Sequence, residues 1–212
     1  MEEGANMLLN DTTNNDSYDV GYLNGNSNLI GSDSYNFLPS GSAGWAGYTH
    51  KRGNAEFSTY MIYEVNPLQN SKNAILGNNY TISKFKGLRV DANLSAGHTQ
   101  QIDSISLIKP SFASGINISG TIKKIVINSS NYFSSGYYPG IRRGALSFNE
   151  RITWLRERPN IWAGFDYNYF APKTFSTFRL FMPRFSSLRA EIGMSGTILK
   201  KIVASVAPLY FQ

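Results

Sequence analysis

The sequence contains no cysteine. That excludes a disulfide framework and any thiolate metal site. Small secreted domains commonly depend on such staples, so the expectation is folding in a reducing cytosol, or stability drawn from an assembly. Long apolar runs are also missing. No stretch reaches the roughly 18 apolar residues of a membrane-spanning helix, and no membrane partner is expected. The opening MEEGANMLLNDTT is acidic and has no apolar core segment, so no signal peptide and a complete chain are expected. Histidine is scarce. His50 and His98 are the only two, and they form no His-x-His or His-x-x-x-His pair. No metal and no cofactor is expected. There is no glycine-rich phosphate loop ahead of a helix, no nucleophile elbow and no locally supported Ser/His/Asp set. An enzyme is therefore not expected. Only Glu56, Glu64, Asp103, Glu150 and Glu157 could converge as a carboxylate pair for glycoside chemistry, and nothing in their spacing favours it.

Positive charge is absent from the first part of the chain. Residues 1–41 hold six acids and no Lys or Arg, whereas residues 134–212 hold eleven Lys and Arg against four acids. An acidic leader and a basic C-terminal half can attract one another, within a chain or between neighbours. The basic residues alternate singly with apolar ones and form no dense tract, which argues against nucleic acid.

The second half of the chain echoes the first. SGTIKKIVI (119–127) returns as SGTILKKIVA (195–204), with Leu199 inserted. ISLIKPSFAS (105–114) returns as FRLFMPRFSS (178–187), VDANL (90–94) as FDYNY (165–169), and SAGWAGYTHKRG (42–53) as SSGYYPGIRRG (134–144). Four blocks in one order imply a duplicated unit. Stretches 56–65, 80–94, 100–108, 120–127, 147–157, 160–170, 173–182 and 196–206 alternate or are β-branched, and read as strands. The one helical rival is 146–159, ended by Pro159, and its strand-like counterpart at 55–65 decides for strand. The expected architecture is all-β: two tandem β-sandwich-like units at 42–133 and 134–212 behind an extended acidic arm at 1–41. Residues 66–83 have no counterpart in the second unit and read as an exposed loop or added hairpin.

Candidate binding residues follow from this pattern. Asp91/Asn93 and Asp166/Asn168 each place two side-chain oxygens on one strand face, suited to a sugar hydroxyl or simply to solvent. Trp45, Tyr48, Tyr137 and Tyr138 sit among glycines, where a flat ring can stack on a sugar or anchor a turn. Arg142, Arg143, Arg179 and Arg184 are candidate assembly contacts for the acidic leader.

The opening NMLLNDTTN, the Pro-containing ISLIKPSF and the Asn/Ser/Gly/Tyr-rich turns resemble accessory modules of bacteriophage tail fibres and baseplates. The resemblance implies a virion structural protein with jelly-roll or galactose-binding-like units. Its partners would be copies of itself and other virion proteins, with a host surface glycan as a further candidate. The alternative is a carbohydrate-binding module that recognises a cell-surface glycan.

Overall fold

The computed structural model describes residues 3–25, 41–67, 70–103, 107–139, 142–156, 159–173, 175, 184–199, 202–206 and 209–211. Every regular element among them is a β-strand. The strands are β1 (Glu3–Asp11), β2 (Asp16–Gly25), β3 (Gly41–Arg52), β4 (Ala55–Asn66), β5 (Ser71–Phe85), β6 (Leu88–Gln101), β7 (Ile108–Ile122), β8 (Ile125–Ser134), β9 (Ala145–Trp154), β10 (Asn160–Phe170), β11 (Phe185–Leu199), β12 (Ile202–Val206) and β13 (Leu209–Phe211). Each of β1 to β12 pairs antiparallel with its sequence neighbour, in one sheet. β13 pairs β11 in the register that β12 begins, so it takes the same place in the sheet. Among the described residues β1 and β12 are not paired to one another, so the sheet is open.

The connections are unequal at the two ends. At one end the chain passes between strands at 11/16, 52/55, 85/88, 122/125, 154/160 and 199/202. At the other it passes between strands at 25/41, 66/71, 101/108, 134/145 and 170/185, over mostly longer stretches of sequence. The short turns have local causes. Lys86 and Gly87 both take positive φ between the paired Phe85 and Leu88, which fits a two-residue hairpin. A Cβ on Gly87 would lie 2.4 Å from the Thr121 carbonyl oxygen.

The sheet curls. Tyr60 on β4 and Tyr132 on β8 pack against one cluster of Ala43, Ile62, Ile75, Ala113 and Tyr138. Strands four positions apart in a flat sheet would be separated by about 19 Å at the usual strand spacing. Tyr60 nevertheless acts on the Tyr132 phenol across that span, and Tyr138 closes one cluster between them, as a concave face allows.

The side chains divide oddly between the two faces. On β4, Phe57, Met61 and Tyr63 point to the convex face and are exposed, while Glu64 on the concave face is 4% exposed. On β7, Phe112 and Ile116 are exposed and Ser111 is buried. Exposed convex residues continue through Met7, Val20, Leu76, Leu94, Ile152, Phe165, Ile192 and Met194. Buried polar residues are Glu64, Asn66, Ser71, Asn73, Ser95, Thr99, Ser111, Ser134, Arg143 and Glu191. A water-soluble sheet normally has the reverse arrangement.

Several expectations change here. All-β holds, as does strand for 147–154 over helix. Two sandwich units do not appear among the described residues: there is one sheet, and β8 runs through the 133/134 boundary. Three repeated blocks do fall on strands four places apart. SGTIKKIVI is the β7–β8 hairpin and SGTILKKIVA the β11–β12 hairpin. VDANL lies on β6 and FDYNY on β10; ISLIKPSFAS enters β7, and FRLFMPRFSS reaches β11 in its last residues. The inserted Leu199 is absorbed as a register shift between Thr197 and Leu199, an extra residue bulged into one strand. The fourth pair fails: 42–53 is strand β3, whereas 134–144 connects β8 to β9.

Three expected strands (80–94, 120–127 and 196–206) are hairpins. Residues 100–108 are mostly a connection. Most of the stretch 173–182 lies outside the described residues. Within 66–83, residues 68 and 69 lie outside the described residues, and 71–83 are not an exposed loop: they form most of β5, with Ile75 2% and Asn73 1% exposed. Nor do residues 3–25 form an extended arm. They are the hairpin β1–β2 on the sheet edge, and 26–40 lie outside the described residues.

Candidate functional site

The concave face carries the concentrated polar chemistry. Alternation on strands of 9 to 15 residues delivers it, because every second residue of each strand projects inward. Four inward aromatic rings stand directly opposite glycines on a neighbouring strand: Trp45 and Gly21, Tyr60 and Gly77, Tyr132 and Gly115, Trp162 and Gly193. A Cβ on Gly21 would lie 2.0 Å from the Trp45 ring, and one on Gly77 would lie 2.1 Å from Tyr60. Gly21 and Gly77 are the floor on which those two rings lie, whereas a Cβ on Gly115 would meet the Asn93 amide at 2.8 Å.

One half of the interior is filled by residues 135–139 and 142–144 of the β8–β9 connection, which turn inward. Thr99 and Ser111 donate from their hydroxyls to the Tyr137 carbonyl, at 2.8 and 3.2 Å. The Tyr138 hydroxyl and Ser95 Oγ are 2.9 Å apart. Arg143 Nε donates to the Tyr138 carbonyl at 2.9 Å, and its Nη1 donates to the Lys173 carbonyl at 3.2 Å. The Tyr137 ring stacks on Phe175 of the next long connection, with centroids 4.8 Å apart. Two connections from one end are thereby tied together over β4 to β7.

Beneath this plug sits Glu64. Asn66 and Asn73 donate side-chain amides to its two oxygens at 3.1 and 2.9 Å. Burial pushes the Glu64 carboxyl above its ordinary value, and the Asn66 and Asn73 hydrogen bonds and the Arg143 charge oppose that. Burial also pulls Arg143 down to about 10, so it stays cationic at neutral pH. Tyr132 is pushed up by burial, and the Arg142 guanidinium lies 5.2 Å over its ring.

The other half of the interior is open. A hollow of ≈ 580 Å³ lies against β7 to β11, lined by Asn117, Asn128, Asn149, Arg151, Asp166 and Glu191 among others. Glu191 is 8% exposed. It is paired with Arg189, and Arg151 Nη1 lies 4.0 Å from its Oε1. The Arg151 guanidinium also covers the Trp162 ring at 4.2 Å.

The expected site residues do not converge. Asp91 and Asn93 share the inward face of β6, as alternation requires, and Asp166 and Asn168 that of β10. Asp91 is held by Arg89 at 2.8 Å and by the Thr81 hydroxyl at 2.8 Å; the Arg89 bond holds its carboxyl below the usual range. Trp45 and Tyr48 lie on opposite faces of β3 rather than in a turn. Trp45 faces inward and donates from Nε1 to Asp19 at 3.1 Å. Tyr48 faces outward, beside Tyr18, and its hydroxyl donates to Asp16. Tyr137 and Tyr138 are interior. Arg143 is 5% exposed, Arg184 is exposed, and Arg179 lies outside the described residues. The leader's Asp16 and Asp19 meet β3 instead of these arginines.

Sequence reasoning missed Asn73, Ser95, Ser111, Arg151, Arg189 and Glu191. The available signal was the run of small polar residues at every second position, as in Ser111, Ala113, Gly115, Asn117 and Ser119. No group of three or more His, Cys, Asp or Glu placed to hold a metal occurs among the described residues. Among the described residues no helix is long and apolar enough to cross a membrane. Comparison with known protein families, curated proteins and solved structures finds no match.

Proposed function

We propose that this chain forms the wall of a transmembrane β-barrel of the outer-membrane kind. The observation that carries the reading is the inverted polarity of the sheet, apolar on the convex face and polar within. A bilayer reverses the usual preference, since lipid-facing residues must be apolar and a lumen can hold water. Strands of 9 to 15 residues meet the roughly 9–11 residues that a tilted strand needs to cross the hydrocarbon. Short turns at one end and longer connections at the other have the same asymmetry as such barrels. Hydrocarbon offers no partner to a free strand edge, so the edges of β1 and β12 must be joined in the membrane, to one another or through further strands. The function is then that of a membrane-embedded channel or scaffold. The reading departs from the virion, glycan-binding and membrane-free expectations, for which no match supplies a relative.

One feature of the convex face runs against the pattern. Glu150 stands mid-strand on β9, accepting from Ser129 Oγ at 2.9 Å and Asn131 Nδ2 at 2.7 Å. Those two donors both serve Oε1 and offset part of the cost of a carboxylate on a lipid-facing surface.

The test is to fold the full chain with lipid vesicles and float them through a density gradient after an alkaline wash. The protein should rise with the vesicles, and its folded form should migrate differently in unheated SDS gels. A chain that stays soluble, folded and unassociated with lipid overturns the reading.

A further inference from the structure

We propose that the interior conducts small uncharged hydrophilic solutes, of monosaccharide size, along the β7–β11 wall and past a fixed constriction made by Tyr137, Tyr138 and Arg143 of the β8–β9 connection. This rests on the barrel reading above.

Three observations carry it. First, the interior is neither filled nor empty. Barrels of about eight strands are packed with side chains, whereas those of 16 to 18 leave an aqueous channel. Twelve strand positions fall between, and the plug fills only the β4–β7 half. The remaining hollow, ≈ 580 Å³, lies within the range that holds small molecules.

Second, the chemistry of the open wall is that of a polar, uncharged passage. Its amides and hydroxyls come from Asn117, Ser119, Asn128, Ser130 and Asn149. They exchange hydrogen bonds with water or with sugar hydroxyls at little net cost. Glu150 borders the hollow with its carboxylate turned to Ser129 and Asn131 on the convex face, and the other formal charges there balance. Glu191 lies between Arg189 and Arg151, and Asp166 stands directly opposite Arg189 across the strand pair. No net field of either sign is left to select an ion.

Third, the constriction is anchored rather than loose. Tyr137 is held by its carbonyl to Thr99 and Ser111 and by its ring to Phe175, and Arg143 is buried against the same floor as Glu64. A segment fixed by that many bonds sets a constant bore.

The experiment uses the full chain in vesicles and in planar bilayers. Protein-loaded vesicles should swell in isotonic monosaccharide and not in long dextran. The bilayer should show steady conductance, with a reversal potential near zero across a KCl gradient. Glu191→Gln leaves Arg151 and Arg189 with Asp166 as their one remaining counter-charge in the wall and should shift the reversal potential toward anion preference. Tyr137→Ser, at the constriction, should raise single-channel conductance. Each variant must float with vesicles and keep the wild-type unheated gel mobility. Wild-type protein that floats with vesicles yet gives neither swelling nor conductance overturns the conduit and leaves the barrel standing. Strong ion selectivity in the wild type, or Glu191→Gln without a shift, overturns the balanced wall. Protein that does not float overturns the barrel reading and this proposal with it.

Discussion

Asn73 and Leu76 lie three residues apart on β5, and they are exposed in the opposite sense to their chemistry: 1% for Asn73 and 58% for Leu76. Asn73 spends one amide bond on Glu64, at 2.9 Å, inside the curl of the sheet. Leu76 faces out beside Met61, its direct partner on β4. In water this arrangement hides the wrong residue. Against hydrocarbon it hides the right one.

The first prediction follows from that face. Leu76→Lys or Ile192→Lys should cost about 2–4 kcal/mol of folding free energy in a bilayer, if the residue sits near the midplane. Denaturant titration of vesicle-folded protein measures it. Glu150→Leu should be neutral or stabilising in the same assay, because Asn131 Nδ2 still reaches Ser129 Oγ at 3.0 Å. A loss comparable to Leu76→Lys would show that Glu150 does not face lipid.

The second prediction concerns the buried charges. Arg143→Met leaves Glu64 uncompensated by that cation and the Tyr138 and Lys173 carbonyls without their donor, and should cost about 3–5 kcal/mol. Glu64→Gln combined with Arg143→Met should cost less than the sum of the two single changes. Strict additivity in that double-mutant cycle would show that the two residues act independently.

The third prediction is a pH dependence with two opposite signs. Glu64 has a raised carboxyl, so the folded state holds its proton to higher pH than the unfolded chain does. Its contribution is full below the ordinary value of 4.5 and is lost as pH rises through the raised value. Asp91 is lowered, so its contribution is present above 3.8 and is lost as pH falls below that value. Stability measured against pH should therefore lose slope above 4.5 in Glu64→Gln and below 3.8 in Asp91→Asn. Unchanged profiles in both variants would contradict the assignment.

The fourth prediction tests the aromatic floor. Gly77→Ala puts a methyl where the Tyr60 ring lies, 2.1 Å from its nearest atom, and should destabilise by about 1–3 kcal/mol. Tyr60→Leu in the same chain should recover part of that loss. Equal stability of Gly77→Ala and wild type in thermal unfolding would mean that the ring moves aside freely.

Much of the local structure was legible in the chain. The alternation in EFSTYMIYEV marks β4, and NIWAGFDYNYF marks β10 with its ends. The repeat was legible as well, though what recurs is a hairpin and its preceding strand rather than a domain. What alternation does not contain is which face is inside. The same pattern of Phe57, Met61 and Tyr63 against Ser58, Ile62 and Glu64 serves a sandwich core or a lipid-facing wall. The choice depends on curvature, and curvature depends on contacts such as those of Tyr60 and Tyr132, far apart in sequence, with one interior cluster. Two-residue turns were also hidden. Lys86–Gly87 and Lys123–Lys124 lack the Asn-Gly signature, so strands 80–94 and 120–127 read as continuous. Residues 66–83 are rich in Asn and so read as a surface segment, yet Asn73 and Ser71 are buried because the interior is polar.

The most direct test of the inverted sheet is a cysteine scan along β5, from residue 73 to residue 80, in vesicle-folded protein. The natural chain has no cysteine, so each variant carries a single thiol. Thiols at 74, 76, 78 and 80 should react with a membrane-soluble maleimide and resist a charged, water-soluble one. Those at 73, 75, 77 and 79 should show no such preference for the membrane-soluble reagent. Equal and rapid labelling of positions 74, 76, 78 and 80 by the water-soluble reagent would contradict the account.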